Sequence, residues 1–302
     1  MKVSLICPIY NEKDSVENLI NSMLNQSKKA DEIIFVDSFS KDGTADLIKS
    51  YSKMGVRLIQ EKSNISKARN IAIKNSKNEI IACTDASSRL DVDWLKNITS
   101  PFEDKGVDVV SGGFIAVSEG RVEEYLAMLT VKPLEEWNEK TFLPSGRSIA
   151  FRKGAWKVVG GYPENLYTGE DTFFDLNLKK KGFKFKLAKD AIVYWRGRDT
   201  VKKFIKQFYL YGKGDGEAGN VWKMPRYLFS FLGVNLGLLI FLGSLLIYPL
   251  VSGLLFIFTL LFLVTQGVNF AVKRKKVGAL FYVPILLFLK RAAYFVGVWR
   301  RI

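Results

Sequence analysis

Two rhythms of apolar residues alternate through the first part of the chain. The runs at Val3 to Cys7, Ile33 to Val36, Val56 to Ile59 and Glu79 to Thr84 are short and nearly continuous, the pattern of buried strands. Between them, Asp14 to Gln26 carries Val16, Leu19, Ile20 and Met23 at helical spacing, and Thr44 to Tyr51 and Ile65 to Asn75 also read as helices. Strands and helices alternating at these lengths fit right-handed parallel crossovers, hence an α/β domain on a Rossmann-like, mostly parallel sheet. Such sheets bind ligands at the carboxyl ends of their strands. Polar residues stand there: Tyr10-Asn11-Glu12 after the first strand, Asp37 after the second and Asp85 after the fourth. The chain has neither a GxGxxG nor a Walker A motif, so its expected nucleotide site uses neither common phosphate loop.

The alternation fades after Val107 to Val110. Arg121 to Lys140 is amphipathic and rich in Glu, with one Trp at 137. Leu143 to Arg152 reads Leu-Pro-Ser-Gly-Arg-Ser-Ile-Ala-Phe-Arg, and Gly160-Gly161-Tyr162-Pro163 is a turn. Gly169-Glu170-Asp171 opens a helix running to about Lys181, and Lys184 to Ala188 and Ala191 to Trp195 read as two short strands.

The last part of the chain belongs to a different solvent. Leu228 to Val272 contains no Asp, Glu, Lys or Arg. A helix rises about 1.5 Å per residue and a hydrocarbon core of roughly 30 Å takes ~20 residues, so this stretch holds two spans, 228–248 and 250–272, with a turn near Tyr248-Pro249. Lys223 and Arg226 precede the first span, and Lys273-Arg274-Lys275-Lys276 follows the second. Two spans return the chain to one side, which the positive-inside rule makes the cytoplasm. Residues 277–299 are apolar but carry Lys290 and Arg291. They read as a helix lying in the interface, with a third span as the alternative. Phe204, Phe208 and Tyr211 share one helical face, open at this stage to packing on the protein or docking on lipid. The expected organisation is a domain over 1–220 and a membrane region over 221–302.

Composition narrows the chemistry. The chain of 302 residues has a formal net charge of +15 and no histidine, which removes His-based acid–base catalysis, Ser-His-Asp triads and His metal ligands. Neither zinc-ligand spacing nor a helix-turn-helix pattern points to nucleic acid; a membrane surface and a diphosphate ligand account for the charge better. Cys7 and Cys83 end core strands and read as buried reduced thiols. The N-terminal run breaks at Pro8, too early for a signal peptide, so the first domain is expected to stay in the cytoplasm.

Six motifs in order then resemble the family 2 glycosyltransferases of the GT-A fold: Cys-Pro-Ile-Tyr-Asn-Glu (7–12), Val-Asp-Ser-Phe-Ser-Lys-Asp-Gly-Thr (36–44), Ser-Lys-Ala-Arg-Asn (66–70), Thr-Asp-Ala-Ser (84–87), Gly-Glu-Asp (169–171) and Gln-Phe-Tyr-Leu-Tyr (207–211). Each is weak alone, and their order and spacing carry the resemblance from Met1 to about Gly219. It implies an inverting transfer from a nucleoside diphosphate sugar to a lipid-linked or glycan acceptor at the cytoplasmic membrane face, a polyprenyl phosphate acceptor being one such partner. Pro8, Tyr10 and Glu12 would line the base and ribose pocket, and Asp37 would accept a hydrogen bond from the base. Arg69 would lie near the base or phosphates, and Asp85 by the ribose, the diphosphate or its metal. Asp171 would be the general base, with Glu170 supporting it or binding the acceptor. With no histidine present, a carboxylate must fill that role. Outside this resemblance, Glu170 and Asp171 also suit a helix first turn, and Arg69 a solvated helix face.

The chain departs from the family at its metal motif. Asp-x-Asp reads Asp85-Ala86-Ser87, and Val193-Tyr194-Trp195-Arg196 lacks the His that many relatives place there. Mg²⁺ or Mn²⁺ would depend on Asp85, phosphate oxygens and water. Arg147, Arg152, Arg196 and Arg198 are candidates to share the neutralising charge on the acceptor or diphosphate. Two alternatives compete. A processive polysaccharide synthase would carry Gln-x-x-Arg-Trp, which Gln207 to Tyr211 does not match. A silent membrane scaffold would keep the fold without the chemistry.

Overall fold

The computed structural model describes residues 1–224, 232–233, 236–237, 240–244 and 249–300. It divides into two compact units, Met1–Val117 with Val131–Gly197, and Ser118–Thr130 with Arg198–Ile302. In the first unit lie β1 (Val3–Ile9), β2 (Glu32–Asp37), β3 (Val56–Gln60), β4 (Ile80–Cys83), β5 (Ser88–Leu90), β6 (Val109–Val117), β7 (Ile149–Arg152) and β8 (Phe185–Arg196). The helices, in chain order, are α1 (Lys13–Leu24), α2 (Thr44–Ser50), α3 (Ile65–Asn75), α4 (Trp94–Thr99), α5 (Arg121–Thr130), α6 (Lys153–Val158), α7 (Glu170–Lys180), α8 (Val201–Glu217), α9 (Asn220–Lys223), α10 (Pro249–Arg274) and α11 (Ala279–Trp299).

The strands form one sheet, ordered β3-β2-β1-β4-β7-β6-β8-β5. β1 to β4 are mutually parallel, β6 and β8 share their direction, and β7 and β5 run against them. The expected Rossmann-like, mostly parallel sheet is the one found. Its core lies on both faces, which explains the continuous apolar runs. Val3, Leu5, Cys7 and Ile9 of β1 pack with Val16, Leu19, Ile20 and Met23 of α1, while Ile6 packs on the opposite face with Ala68 and Ala72 of α3. Cys7 and Cys83 are free and buried, and burial pushes the Cys83 thiol up to about 12.

Three elements differ from their sequence pattern. β1 runs through Pro8 to Ile9, because the last β4 partner is Cys83 opposite Ile6, and beyond it β1 pairs with β2 alone. A proline is tolerated where one side of the ladder needs no donor. The two expected strands 184–188 and 191–195 are one strand, β8, interrupted by a bulge where Ala188 pairs Gly112 and Ile192 pairs Gly113. Side chains at the two glycines would crowd the bulge carbonyls, 2.8 Å from that of Ala191 at Gly112 and 2.6 Å from that of Lys189 at Gly113. Of the amphipathic stretch 121–140, only Arg121–Thr130 is a long helix; Pro133 and a short 3-10 turn follow it.

The second unit is helical. Tyr125, Leu126 and Leu129 of α5 form one core with Phe204 and Phe208 of α8, Ala271 of α10 and Ala279, Val283, Leu286 and Ala293 of α11. Phe204 and Phe208 therefore pack on the protein. α10 and α11 are each long and apolar enough to cross a membrane. They correspond to the expected segments 250–272 and 277–299, joined by the short basic turn that contains Lys275 at φ 53°. The first expected span, 228–248, lies largely outside the described residues.

Candidate active site

The sheet places its functional residues by register. Ile9 pairs with Asp37, so Tyr10 and the β2 turn share one sheet edge, and Cys83 stands opposite Ile149, so Asp85 and Arg147 share it too. Tyr10 is exposed there, next to Asn11 at φ 51°, whose side chain accepts from the Lys41 amide. Glu12 precedes α1 and accepts from the Ser15 hydroxyl at 2.7 Å. Pro8 is buried within β1. Asp37 is also fully buried: its carboxylate accepts from the Ser40 amide and hydroxyl and from Gln60 Nε2 at 3.1 Å, so its own turn occupies it.

Arg69, on α3, is 1% exposed and ties two further elements together. One Nη donates to Asp85 Oδ1 at 2.8 Å and the other to Glu170 Oε1 at 2.8 Å. Asn64 fixes the start of α3 by accepting from the Lys67 amide, and its Nδ2 donates to the carbonyls of Glu164 and Leu166. Asn70 grips the same loop through the Tyr162 carbonyl and Glu164. The Tyr162 ring lies 5.3 Å from the Arg69 guanidinium. A Cβ on Gly146 would overlap that guanidinium, so only glycine fits there. Burial opposes the charge on Arg69, but Asp85 and Glu170 outweigh it and hold its pKa well above the usual guanidinium value.

α7 begins at this point. Gly169, at φ 75°, turns the chain so that Glu170 and Asp171 occupy the first helical turn, where the helix dipole favours negative charge. Glu170 is buried and its carboxyl is pushed up to about 7, first by burial and then by Asp171, against the pull of Arg69. Asp171 is partly exposed and accepts from the Thr172 amide at 2.8 Å. One turn further on, Asp175 is fully buried, with no hydrogen-bond partner for either oxygen among the described residues. Burial, then Asp171, raises its pKa well above the ordinary aspartate value, which favours its protonated form. The sequence reading missed Asp175, although its spacing of four from Asp171 puts both on one helix face. It also missed Gly146, for which no sequence signal exists.

The candidate arginines separate. Arg147 stays at the site, its Nε 3.9 Å from Asp85 Oδ2 and its guanidinium over the rings of Trp195 at 4.4 Å and Phe114 at 4.9 Å. Arg196 follows Trp195 at the end of β8 and is exposed. Arg152 does not belong here. It pairs with Ile80 at the start of β4, and it is spent on the Val107 and Phe102 carbonyls and on Glu79, because β7 runs antiparallel and carries its end to the opposite sheet edge. A divalent cation is poorly served by this donor set. Asp85 is the carboxylate of the expected motif and already faces two guanidinium groups, Ser87 stands in place of a second acid, and no group of three His, Cys, Asp or Glu suited to a metal occurs among the described residues.

The model for glycosyl transferase family 2 matches residues 4–162. Glycosyltransferase AglE of Haloferax volcanii is 27% identical over 232 residues, covering 74% of this chain and 75% of that protein. A Methanococcus voltae protein described as dolichyl N-acetyl-alpha-D-glucosaminyl phosphate 3-beta-D-2,3-diacetamido-2,3-dideoxy-beta-D-glucuronosyltransferase is 27% identical over 267 residues, 80% of this chain and 83% of that protein. Among solved structures, the mannosyltransferase PcManGT of Pyrobaculum calidifontis, in complex with GDP-Man and Mn²⁺, aligns with a TM-score of 0.70 at 16% identity, over 99% of this chain and 86% of that one.

Proposed function

Because the chain belongs to glycosyl transferase family 2, and so is a nucleotide-sugar-dependent enzyme of the GT-A fold, we propose that it moves a sugar from a nucleoside diphosphate sugar to an acceptor hydroxyl with inversion at the anomeric carbon. One observation carries this reading: a single buried arginine, Arg69, bonds at once to Asp85 at the nucleotide edge of the sheet and to Glu170 at the head of α7. In this reading the donor side and the base are tied to one rigid group, which supports a shared site.

The two acids at the helix head differ in fitness as base. Glu170 is buried and bound to Arg69, so it holds the cluster in place. Asp171 is the more exposed of the two and free to meet an acceptor. In the proposed step the acceptor oxygen attacks the anomeric carbon and its proton passes to Asp171. The bond from that carbon to the diphosphate oxygen breaks, and the electron pair leaves with the diphosphate. Tyr10, Pro8 and Glu12 line the base and ribose side, with Asp37 shaping the adjoining turn. The acceptor in this reading is a lipid-linked or surface glycan at the cytoplasmic membrane face. The apolar C-terminal helices and the dolichyl-linked substrate named for the Methanococcus relative support it.

Asp171→Asn tests the base. Turnover should fall by roughly 10² to 10⁴-fold, the range of general-base catalysis, with nucleotide binding retained. Undiminished turnover would remove Asp171 from the role, and a product with the donor's anomeric configuration by NMR would reject inversion.

A further inference from the structure

Resting on the nucleoside diphosphate reading, we infer that Arg147 supplies the positive charge that the departing diphosphate needs, in the place where a second carboxylate would otherwise recruit a divalent cation. The carbonyl of Arg147 accepts from the Thr84 hydroxyl at 2.9 Å, which fixes its backbone beside Asp85. Its guanidinium lies over the rings of Trp195 and Phe114, 4.4 and 4.9 Å from their centroids, and these contacts hold it in place. The side chain is 13% exposed, and its buried Nε stands 3.9 Å from Asp85 Oδ2, beyond hydrogen-bond reach. That atom faces Asp85, whereas the two Nη groups make no hydrogen bond or ion pair among the described residues and are left for a ligand. A phosphate oxygen meets that need, since guanidinium and phosphate match as paired donors and acceptors.

The neighbouring charges argue the same way. Arg69 spends its Nη groups on Asp85 and Glu170, and Arg152 is committed at the opposite sheet edge. A cation bound to Asp85 would enter a site that already holds the charges of Arg69 and Arg147, and like charges at this range repel. With Ser87 where a carboxylate would offset them, the positive charge of the site comes from guanidinium. As the anomeric C–O bond breaks, the charge that develops on the diphosphate oxygen is met by a preformed donor, with no proton transferred.

The test uses the full-length protein in detergent and measures binding of uridine diphosphate and guanosine diphosphate by calorimetry, first in EDTA and then in Mn²⁺. One nucleotide should bind in EDTA with an affinity within about threefold of that in Mn²⁺, a difference below one charge-assisted hydrogen bond. Arg147→Met keeps the length and the apolar packing on the rings. It should weaken binding on the order of ten- to a hundredfold, the loss of one or two such bonds, and Arg147→Lys should recover part of it. Wild-type binding that requires Mn²⁺, or Arg147→Met binding at the wild-type level, overturns the inference and leaves the donor reading standing. Failure of both nucleotides to bind, with and without Mn²⁺, overturns the donor reading itself. Should Arg147→Met not fold, the wild-type comparison decides alone.

Discussion

Arg69 shows how much of this site is held by single residues. Its two carboxylate partners come from distant parts of the chain, and losing one side of such a buried pair typically costs about 3–5 kcal/mol. Glu170 carries the measurable consequence. Its folded pKa, about 7, lies above the ordinary glutamate value of 4.5, so between these values the folded protein binds more protons than the unfolded chain. Stability is therefore greatest when Glu170 is protonated and falls as pH rises through that window. Asp175, raised for the same reason, adds to this slope. Glu170→Gln keeps an oxygen for Arg69 and removes the titration. The melting temperature of this variant relative to wild type should rise between pH 5 and pH 8, by the equivalent of roughly 1–3 kcal/mol. A difference that stays constant with pH would show that Glu170 does not titrate there. The sequence made Asp171, Asp85 and Arg69 legible, because each stands in a motif at a strand or helix end. It did not separate Arg147 from Arg152, which lie five positions apart in one stretch. Only the antiparallel course of β7 sends them to opposite sheet edges.

At the level of elements, contact between backbones decides more than propensity. α8 and α11 meet where a Cβ on Gly212 would strike the Tyr294 carbonyl and a Cβ on Gly297 would strike that of Tyr209. Near this crossing, Tyr294 donates to Asp215 at 2.8 Å, Lys290 donates to the Leu129 carbonyl at 2.6 Å, and Lys290 also stands 4.5 Å from the Phe208 ring. Gly297→Val should force the helices apart and lower stability by about 1–3 kcal/mol, the usual cost of overpacking, read as a drop in melting temperature in detergent. An unchanged melting temperature would mean that α8 and α11 do not pack this closely. The hydrophobic pattern gave both helices but not their partners, because apolar stretches of similar composition do not encode which faces meet. The strands β1, β2 and β4 were legible for the opposite reason: buried on both faces, they leave continuous apolar runs. β5 and α4, short and polar in part, left no such trace.

For the whole molecule, composition separates two environments. α10 and α11 expose Leu254, Phe258, Leu261, Phe281 and Ile285, while the sheet unit buries its apolar residues. Apolar surface of that extent marks a face for lipid or protein, and the length of both helices fits a bilayer. The basic turn between α10 and α11 is expected on the cytoplasmic side. Val277→Cys places a thiol at a position 76% exposed, against native Cys7 and Cys83 that are fully buried. In membranes, an impermeant maleimide should label it only when the cytoplasmic face is open to the reagent. Labelling from the outer face of intact cells would reverse the orientation. The sequence by itself determined the alternation that makes the α/β sheet, the carboxylates at its strand ends and the uncharged tail, because periodicity, turn chemistry and transfer free energy are local properties of the chain. Tertiary structure alone decided that Arg69 joins Asp85 to Glu170, that Gly146 makes room for it, and that Arg147 rather than Arg152 stands at the site. Those outcomes depend on strand direction and register, which bring together side chains up to about a hundred positions apart along the chain.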